Sequence, residues 1–136
     1  MILVISTANQ TTELYLVNGS KVIIQEKWSA ERRLAKDLLA EIKNVISESN
    51  KNIQLNDDIW SQLSGLVVFK GPGSFTGLRI GITTMNALAY GLDIPIVGVG
   101  GPDWMDTGIA RLGNNENDKI VLPEYGAEPN ITKSKK

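Results

Sequence analysis

A short apolar strand, a glycine-rich corner and a long apolar helix follow one another in the middle of this chain. The run Gly65–Phe69 is continuously apolar, which is typical of a strand buried on both faces of a parallel sheet. The corner "KGPGSFTG" comes next. The pattern then predicts a helix from about Ser74 or Phe75 to Tyr90, with Gly91 placed to end it. A strand that leads into a helix in this way predicts an α/β domain.

The hydrophobic pattern around this unit completes the domain. Apolar runs predict strands at Ile2–Ile5, Leu14–Val17, Lys21–Lys27 and Ile94–Val99, and "NGS" at 18–20 is typical of a hairpin turn. Ser29 is placed to cap a helix that runs to about Ser49 and whose apolar positions share one face: Leu34, Leu38, Ile42, Val45 and Ile46. The order β-β-β-α-β-α-β predicts a mixed sheet with an antiparallel hairpin edge and parallel strands. After it, "DWMDTGIARLG" predicts a short helix and "IVLPEY" a last short strand.

The composition points away from most enzymes. The 136 residues include no cysteine and no histidine, so thiolate sites, Cys nucleophiles and Ser–His pairs are excluded. With 14 basic against 15 acidic residues, the chain has no overall positive charge with which to hold nucleic acid by itself. No apolar run reaches the ~20 residues of a membrane span, and "MILVISTANQ" lacks the features of a signal peptide. We therefore expect a cytoplasmic binding or partner protein.

The corner between strand and helix has two interpretations. Free N–H groups at a helix N-terminus bind anions, which favours a phosphate cradle. However, the glycine spacing matches neither nucleotide-binding motif, Pro72 removes a donor, and Ser74 has no histidine to activate it. A tight structural corner, with Ser74 as helix N-cap, is the alternative. The residues concerned, here termed the corner loop, are Gly71, Pro72, Gly73, Ser74, Phe75, Thr76 and Gly77.

The helix behind the corner loop predicts a protein partner. Arg79 is its only charged residue between Thr76 and Tyr90, and its apolar residues spread around the helix. A helix that is apolar on most sides must be covered on most sides, and one sheet face covers only one of them. The preceding helix could supply the rest, but its apolar face is already needed against the sheet. A second chain is therefore a candidate, and small residues suit a close helix approach: Gly77, Gly81, Ala87 and Ala89.

Three stretches resemble the TsaB (YeaZ) family. They are "GPGSFTGLRIGI", "ALAYGLDIPIVGV" and the opening "ILVISTANQTTELYLVNG", so that the resemblance covers about Met1–Val99. It implies the ASKHA (actin-like/sugar-kinase) fold. It also implies a non-catalytic pseudoenzyme subunit of the machinery that makes N6-threonylcarbamoyladenosine (t6A) in tRNA. The implied partners are a TsaD-like catalytic subunit and a TsaE-like ATPase, with tRNA reached only through the complex.

In that family the partner is bound through two helices, which correspond here to Glu31–Ser49 and Thr76–Tyr90. Homodimers can use the same surface. The interface residues that we predict are Arg32, Arg33, Lys36, Leu39 and Lys43 on the first helix, and Thr76, Arg79, Thr83, Asn86, Leu88 and Tyr90 on the second. The alternative for each polar residue is simple exposure to solvent. We expect no metal and no cofactor bound by this chain alone, with a nucleotide at the partner junction left open.

The chain departs from the family pattern in three places. Ser6 stands where the family usually has an Asp, which weakens an ATPase interpretation. The two metal-binding histidines of TsaD would fall near Gly101 and Met105, and neither residue replaces them. The third concerns length, since family members usually continue into a second domain. We expect an ASKHA-like domain at 1–100, a remnant of a largely missing second domain at 101–127 and a disordered basic tail at 128–136.

Two rival functions remain open at this stage. One is an enzyme, either an actin-like ATPase or a peptidase, against which the absent histidine and cysteine and the presence of Ser6 argue. The other is a homodimeric scaffold unrelated to tRNA.

Overall fold

The structure is a computed structural model that describes residues 1–19, 21–29, 33–49 and 59–125. In this part of the chain the elements run in the predicted order. They are β1 (Ile2–Ser6), β2 (Thr11–Asn18), β3 (Lys21–Ser29), α1 (Leu34–Ser49), a 3₁₀ turn (Ile59–Gln62), β4 (Gly65–Phe69), α2 (Phe75–Leu92), β5 (Ile96–Val99) and α3 (Trp104–Gly113). The α/β class is confirmed.

The sheet is mixed, as predicted. Its five strands lie in the order β3-β2-β1-β4-β5. β1 pairs antiparallel with β2, with Ile5 opposite Leu14, and β2 pairs antiparallel with β3. β1 pairs parallel with β4, and β4 parallel with β5. The hairpin therefore forms one side of the sheet, and the strands that helices connect form the other.

The two faces of the sheet carry different helices. Side chains alternate along each strand, so Leu3, Ile5 and Leu66 pack in the cluster that contains the apolar residues of α1 and α2. Val4, Val67 and Val97 face the other way and pack with the apolar side of α3. The result is a sheet between two helical layers, with its core on both faces.

The turn after β1 approaches α2 very closely. The hydroxyl of Thr7 donates a hydrogen bond of 2.6 Å to the carbonyl of Gly77, and the Thr7 side chain is 1% exposed. A β-carbon at Gly77 would overlap the carbonyl oxygen of Thr7, and one at Gly81 would overlap its Oγ1. We expected these two glycines to allow close approach by a second helix. This expectation is wrong, because the space beside them is filled by the chain's own β1–β2 turn.

Several predicted element ends differ from the structure. β3 continues to Ser29, opposite Thr11, so this residue ends a strand and does not cap α1. α2 continues through Gly91, and its C-cap is Asp93, whose left-handed backbone (φ 54°) lets its N–H bond the carbonyl of Ala89. Asp tolerates this conformation because its short side chain can hydrogen-bond locally. Ser74 occupies the N-cap position of α2, but its side chain makes no capping hydrogen bond.

The segment predicted as a last strand is irregular. Residues 120–125 contain no strand in the structure. They wrap around the edge of β5 after α3, and the side chain of Val121 enters the core on the α2 face. Residues 101–125 thus share the core of residues 1–100. The predicted division into domain, remnant and tail stays a prediction, since the tail at 128–136 lies outside the described residues. Among the helices of the described residues, none combines the length and the hydropathy that a membrane span requires.

The Thr7 contact predicts opposite effects for two glycines of α2. Gly81→Ala should lower the free energy of unfolding by about 1–3 kcal/mol, because the new methyl group overlaps a buried side chain. Gly91→Ala should leave it unchanged or raise it by up to ~1 kcal/mol, because a β-carbon there meets nothing within 4 Å and alanine favours helix. Urea unfolding of both variants measures the difference. Equal effects would contradict the packing described.

Candidate functional site

The outer surface of α1 and α2 is the first candidate site. α1 buries the predicted face, namely Leu34, Leu38, Ile42, Val45 and Ile46, which confirms the sequence pattern. α2 buries Leu78, Ile82, Met85 and Ala89 against the sheet. Between the exposed sides of the two helices lies a groove of about 400 Å³, here termed the α1–α2 groove, lined by Ala35, Thr76, Arg79, Ile80, Thr83 and Thr84. Apart from Arg79 and Ile80, the side chains that line it are small or carry a hydroxyl group.

The predicted residues of α1 lie on its exposed side. Arg33, Lys36, Leu39 and Lys43 are exposed, and Leu39 is 46% exposed although it is a large apolar residue. It follows Ala35 by one helical turn, so it extends the wall of the α1–α2 groove. Arg33 pairs with Asp37 at 3.3 Å on the helix surface. Arg32 lies outside the described residues.

The predicted residues of α2 divide into two groups. Thr76, Arg79, Thr83 and Tyr90 are exposed, and Tyr90 is 91% exposed. Asn86 and Leu88 are half-buried instead. The Asn86 amide bonds the backbone of Val121 with both of its polar atoms, and Leu88 packs against the core. Changing either residue therefore disturbs the fold as well as the surface.

The corner loop is held by close contacts with two other segments. Gly71 has a φ of 121°, and a β-carbon there would overlap the carbonyl of Glu124. A β-carbon at Gly73 would overlap Ala8, whose carbonyl accepts a 2.7 Å hydrogen bond from the N–H of Ser74. Pro72 follows Gly71 through a cis peptide bond. These contacts favour the structural interpretation of the corner loop, although the Phe75 side chain lies outside the described residues.

A polar cleft lies beside the corner loop. The β1–β2 turn and the start of α2 line it with Thr7, Asn9, Gln10, Thr12, Leu34, Ser74, Thr76, Gly77 and Ile80. The polar side chains in this described lining are hydroxyls and amides, which can hydrogen-bond a ligand, and no carboxylate is among them to hold a metal ion. Ser6, at the end of β1, is buried with 4% exposure.

Gly101 and Met105, where the resemblance implies that the metal-binding histidines of TsaD would fall, have other roles. Gly101 has a φ of 87° in the turn before α3, where glycine is favoured. Met105 lies in α3, is half-buried and packs against the apolar cluster on that face of the sheet.

A charged cluster at the edge of β5 was not found by sequence reasoning. Arg111 of α3 binds Asp118 and Glu116, and the carboxylate of Asp118 also accepts a 2.8 Å hydrogen bond from the N–H of Gly98. Burial opposes ionisation of Asp118, yet the bonds from Arg111 and Gly98 outweigh it and hold its pKa below the ordinary 3.8. Hydrogen bonds to Asp118 and then to Glu116 raise the pKa of Arg111. No sequence pattern indicates this cluster, because its members come from a helix, a strand and a loop.

Comparisons with known proteins identify relatives along most of the chain. A family model described as "TsaD: tRNA N6-adenosine threonylcarbamoyltransferase" matches residues 22–105. The tRNA threonylcarbamoyladenosine biosynthesis protein TsaB of Bacillus subtilis is 34% identical over 98 residues, which is 72% of this chain and 40% of that protein. TsaB of Haemophilus influenzae is 30% identical over 117 residues, or 85% of this chain and 46% of that protein.

A solved structure shows the same fold. YeaZ from Pseudomonas aeruginosa superposes with a TM-score of 0.61 at 23% identity, over 73% of this chain and 43% of that one. The chain thus spans less than half the length of these relatives.

The Asp118 cluster predicts a pH-dependent contribution to stability. A carboxyl whose pKa is lowered by folding stabilises the fold above its ordinary pKa and loses that contribution as the pH falls through the lowered value. Asp118→Asn should therefore lower the free energy of unfolding by about 1–2 kcal/mol at neutral pH, and the deficit should shrink in acid. Glu116→Gln is the matched control, since Glu116 binds the same arginine from a more exposed position, and its effect should stay below about 1 kcal/mol. Urea unfolding at several pH values measures both, and an equal loss in the two variants would contradict the assignment.

Proposed function

The chain belongs to the family described as TsaD, among its TsaB (YeaZ) members, and on this basis we propose that it acts in tRNA threonylcarbamoyladenosine biosynthesis as a non-catalytic subunit. The observation that carries the proposal is the match itself. Residues 22–105 include the whole of α1 and α2, and relatives named TsaB align with 72–85% of the chain. The proposed partner is a TsaD-like catalytic subunit, which the chain would bind and hold in its active conformation.

The α1–α2 groove is the proposed contact surface. It combines a concave shape with the exposed apolar side chain of Leu39, one helical turn from the lining residue Ala35; Tyr90 of α2 is also exposed but lines a separate groove beside residues 117–120. Burial of such side chains supplies most of the favourable free energy of protein association. Lys36 and Lys43 add positive charge along α1, which favours a partner with acidic residues facing them.

The non-catalytic role is supported by the chemistry that the chain can offer. The chain has no histidine or cysteine, and the resemblance puts Gly101 and Met105 where TsaD would have metal-binding histidines, which neither residue can replace. Among the described residues, the lining of the polar cleft beside the corner loop offers hydroxyls and amides but no charged group. A nucleotide bound near it would gain from charges supplied by the partner, and a nucleotide at the subunit junction is compatible with this lining.

Reconstitution tests the proposed function directly. A TsaD-like and a TsaE-like protein from the same organism, with ATP, threonine, bicarbonate, a threonylcarbamoyl-adenylate-forming enzyme and tRNA, should form t6A only when this chain is added. The chain alone should hydrolyse neither ATP nor peptides. Equal t6A yields with and without the chain would reject the role in biosynthesis, and turnover by the chain alone would reject the non-catalytic assignment.

A matched pair of threonines tests the contact surface. Thr83→Arg fills the α1–α2 groove and should weaken binding of the TsaD-like subunit at least about tenfold, as expected for a bulky charge at the centre of an interface. Thr107→Arg makes the same change at an exposed position of α3 on the opposite face and should leave the affinity unchanged. Calorimetric titration measures both affinities, with thermal unfolding to show that both variants fold. Unchanged binding by Thr83→Arg would place the contact elsewhere.

A further inference from the structure

The three most exposed large apolar side chains of the described residues lie together at the C-terminal end of α2. They are Tyr90, Leu122 and Ile120, which are 91%, 72% and 67% exposed. Tyr90 and Ile120 line one groove of about 540 Å³, here termed the Tyr90 groove, and Ile120 and Leu122 line a second pocket, so the three are contiguous. A contiguous apolar patch of a few hundred Å² commonly marks a binding surface, and a tyrosine alone contributes about 150–250 Å².

The two amide side chains that line the Tyr90 groove are engaged by the fold. Both polar atoms of Asn86 bond the backbone of Val121 at 2.9 Å. The side-chain oxygen of Asn117 accepts from two backbone N–H groups, at 2.8 and 3.1 Å. A small polar ligand needs several convergent free donors and acceptors to fix its orientation. The groove is therefore better suited to an apolar side chain of another protein than to a polar metabolite.

The Tyr90 groove also holds two opposite charges. Asp93 and Lys119 both line it and both are exposed. Within the part of the chain that the structure describes, neither side chain has an ion-pair partner. A surface that carries one anion and one cation beside an apolar side chain is complementary to itself, since a two-fold axis can bring the anion of each copy to the cation of the other.

We propose that two copies of this chain dimerise through the Tyr90 groove about a two-fold axis. Tyr90 of each copy enters the groove of the other, and Asp93 of each copy faces Lys119 of the other. A second copy is the occupant that the surface favours, because one groove supplies the apolar side chain, the cavity that receives it and both signs of charge. The two surfaces bury on the order of 1,000 Å² in total, which suits a weak, reversible dimer.

This dimer goes beyond the proposed t6A function and does not depend on it. α2 lines the α1–α2 groove with residues between 76 and 84, and the Tyr90 groove with residues between 86 and 90. Thr83→Arg should therefore leave self-association unchanged, and Tyr90→Glu should leave the affinity for the TsaD-like subunit unchanged. A loss of that affinity in Tyr90→Glu, with self-association unaltered, would overturn the proposal and assign Tyr90 to the other interface.

A matched pair of charges provides the first test. Tyr90→Glu places a charge at the centre of the dimer interface and should raise the dimer dissociation constant at least about tenfold. The nearly complete exposure of Tyr90 means that this change leaves the core intact. Thr107→Glu adds the same charge at an exposed position of α3 and should leave the constant unchanged. Sedimentation equilibrium over a range of concentrations measures both. An unchanged chain that stays monomeric throughout, or equal constants for the two variants, would overturn the proposal.

An exchange of charges provides the second test and identifies the occupant. Asp93→Lys leaves two cations in the groove and Lys119→Glu leaves two anions, so each variant alone should self-associate at least about tenfold more weakly. The left-handed backbone at Lys119 (φ 67°) shows that lysine fits the conformation that Asp93 adopts (φ 54°). Their equimolar mixture places the two introduced charges opposite each other and should restore a one-to-one heterodimer with about the original affinity.

Recovery in the mixture alone shows that the groove of one copy faces the groove of another, because no other partner would respond to both changes in this way. Thermal unfolding checks that both variants are folded. Folded variants whose mixture does not recover would overturn the proposal; if either variant fails to fold, the comparison of Tyr90→Glu with Thr107→Glu decides alone.

Discussion

The contact between Thr7 and two glycines of α2 sets the position of the helix on which the rest of the structure depends. The Thr7 hydroxyl bonds the carbonyl of Gly77, the Thr7 carbonyl oxygen lies where a β-carbon of Gly77 would be, and the Thr7 side chain lies where a β-carbon of Gly81 would be. The β1–β2 turn therefore holds α2 against the sheet from one side. Because both glycines face this turn, the residues that α2 turns outward come from its other side, including Thr83 and Tyr90. The surface available to a partner is thus a consequence of an internal packing constraint.

The same constraint explains why a glycine-rich corner that resembles a phosphate cradle is built as a packing junction. Gly73 lies against Ala8 of the β1–β2 turn, and Gly71 lies against Glu124 of the segment that follows α3. The corner loop consequently joins three segments that are distant in the sequence. Its glycines are needed because backbone meets backbone there, which leaves no room for side chains. The described residues that line the polar cleft beside it are uncharged, so among them only hydroxyls, amides and backbone N–H groups could bind an anion.

The elements were predictable from sequence because their signals are local, whereas the contacts that join them were not. Continuous apolar runs predicted β4 and β5, and apolar residues with a 3.6-residue period predicted the buried face of α1 from Leu34 to Ile46. The glycines of α2 were assigned to the wrong neighbour, because periodicity gives the side of a helix but not what lies against it. The pairing of Arg111 with Asp118 and of Asn86 with Val121 left no pattern, since each joins different elements. On the candidate site, sequence separated exposed Thr83 from buried Met85 but placed half-buried Asn86 and Leu88 with the exposed residues.

Residues 117–124 and the outer hairpin solve the same physical problem at opposite edges of the sheet. An uncovered edge strand exposes backbone groups that pair readily with other chains, and β-proteins commonly protect such edges with charges or with covering segments. β3 forms one edge and carries charged residues such as Lys21, Glu26 and Lys27, while β5 forms the other and is covered by residues 117–124. Apolar β5 lacks charges of its own, so its exposed backbone groups are bonded by Asn117 and Asp118 instead.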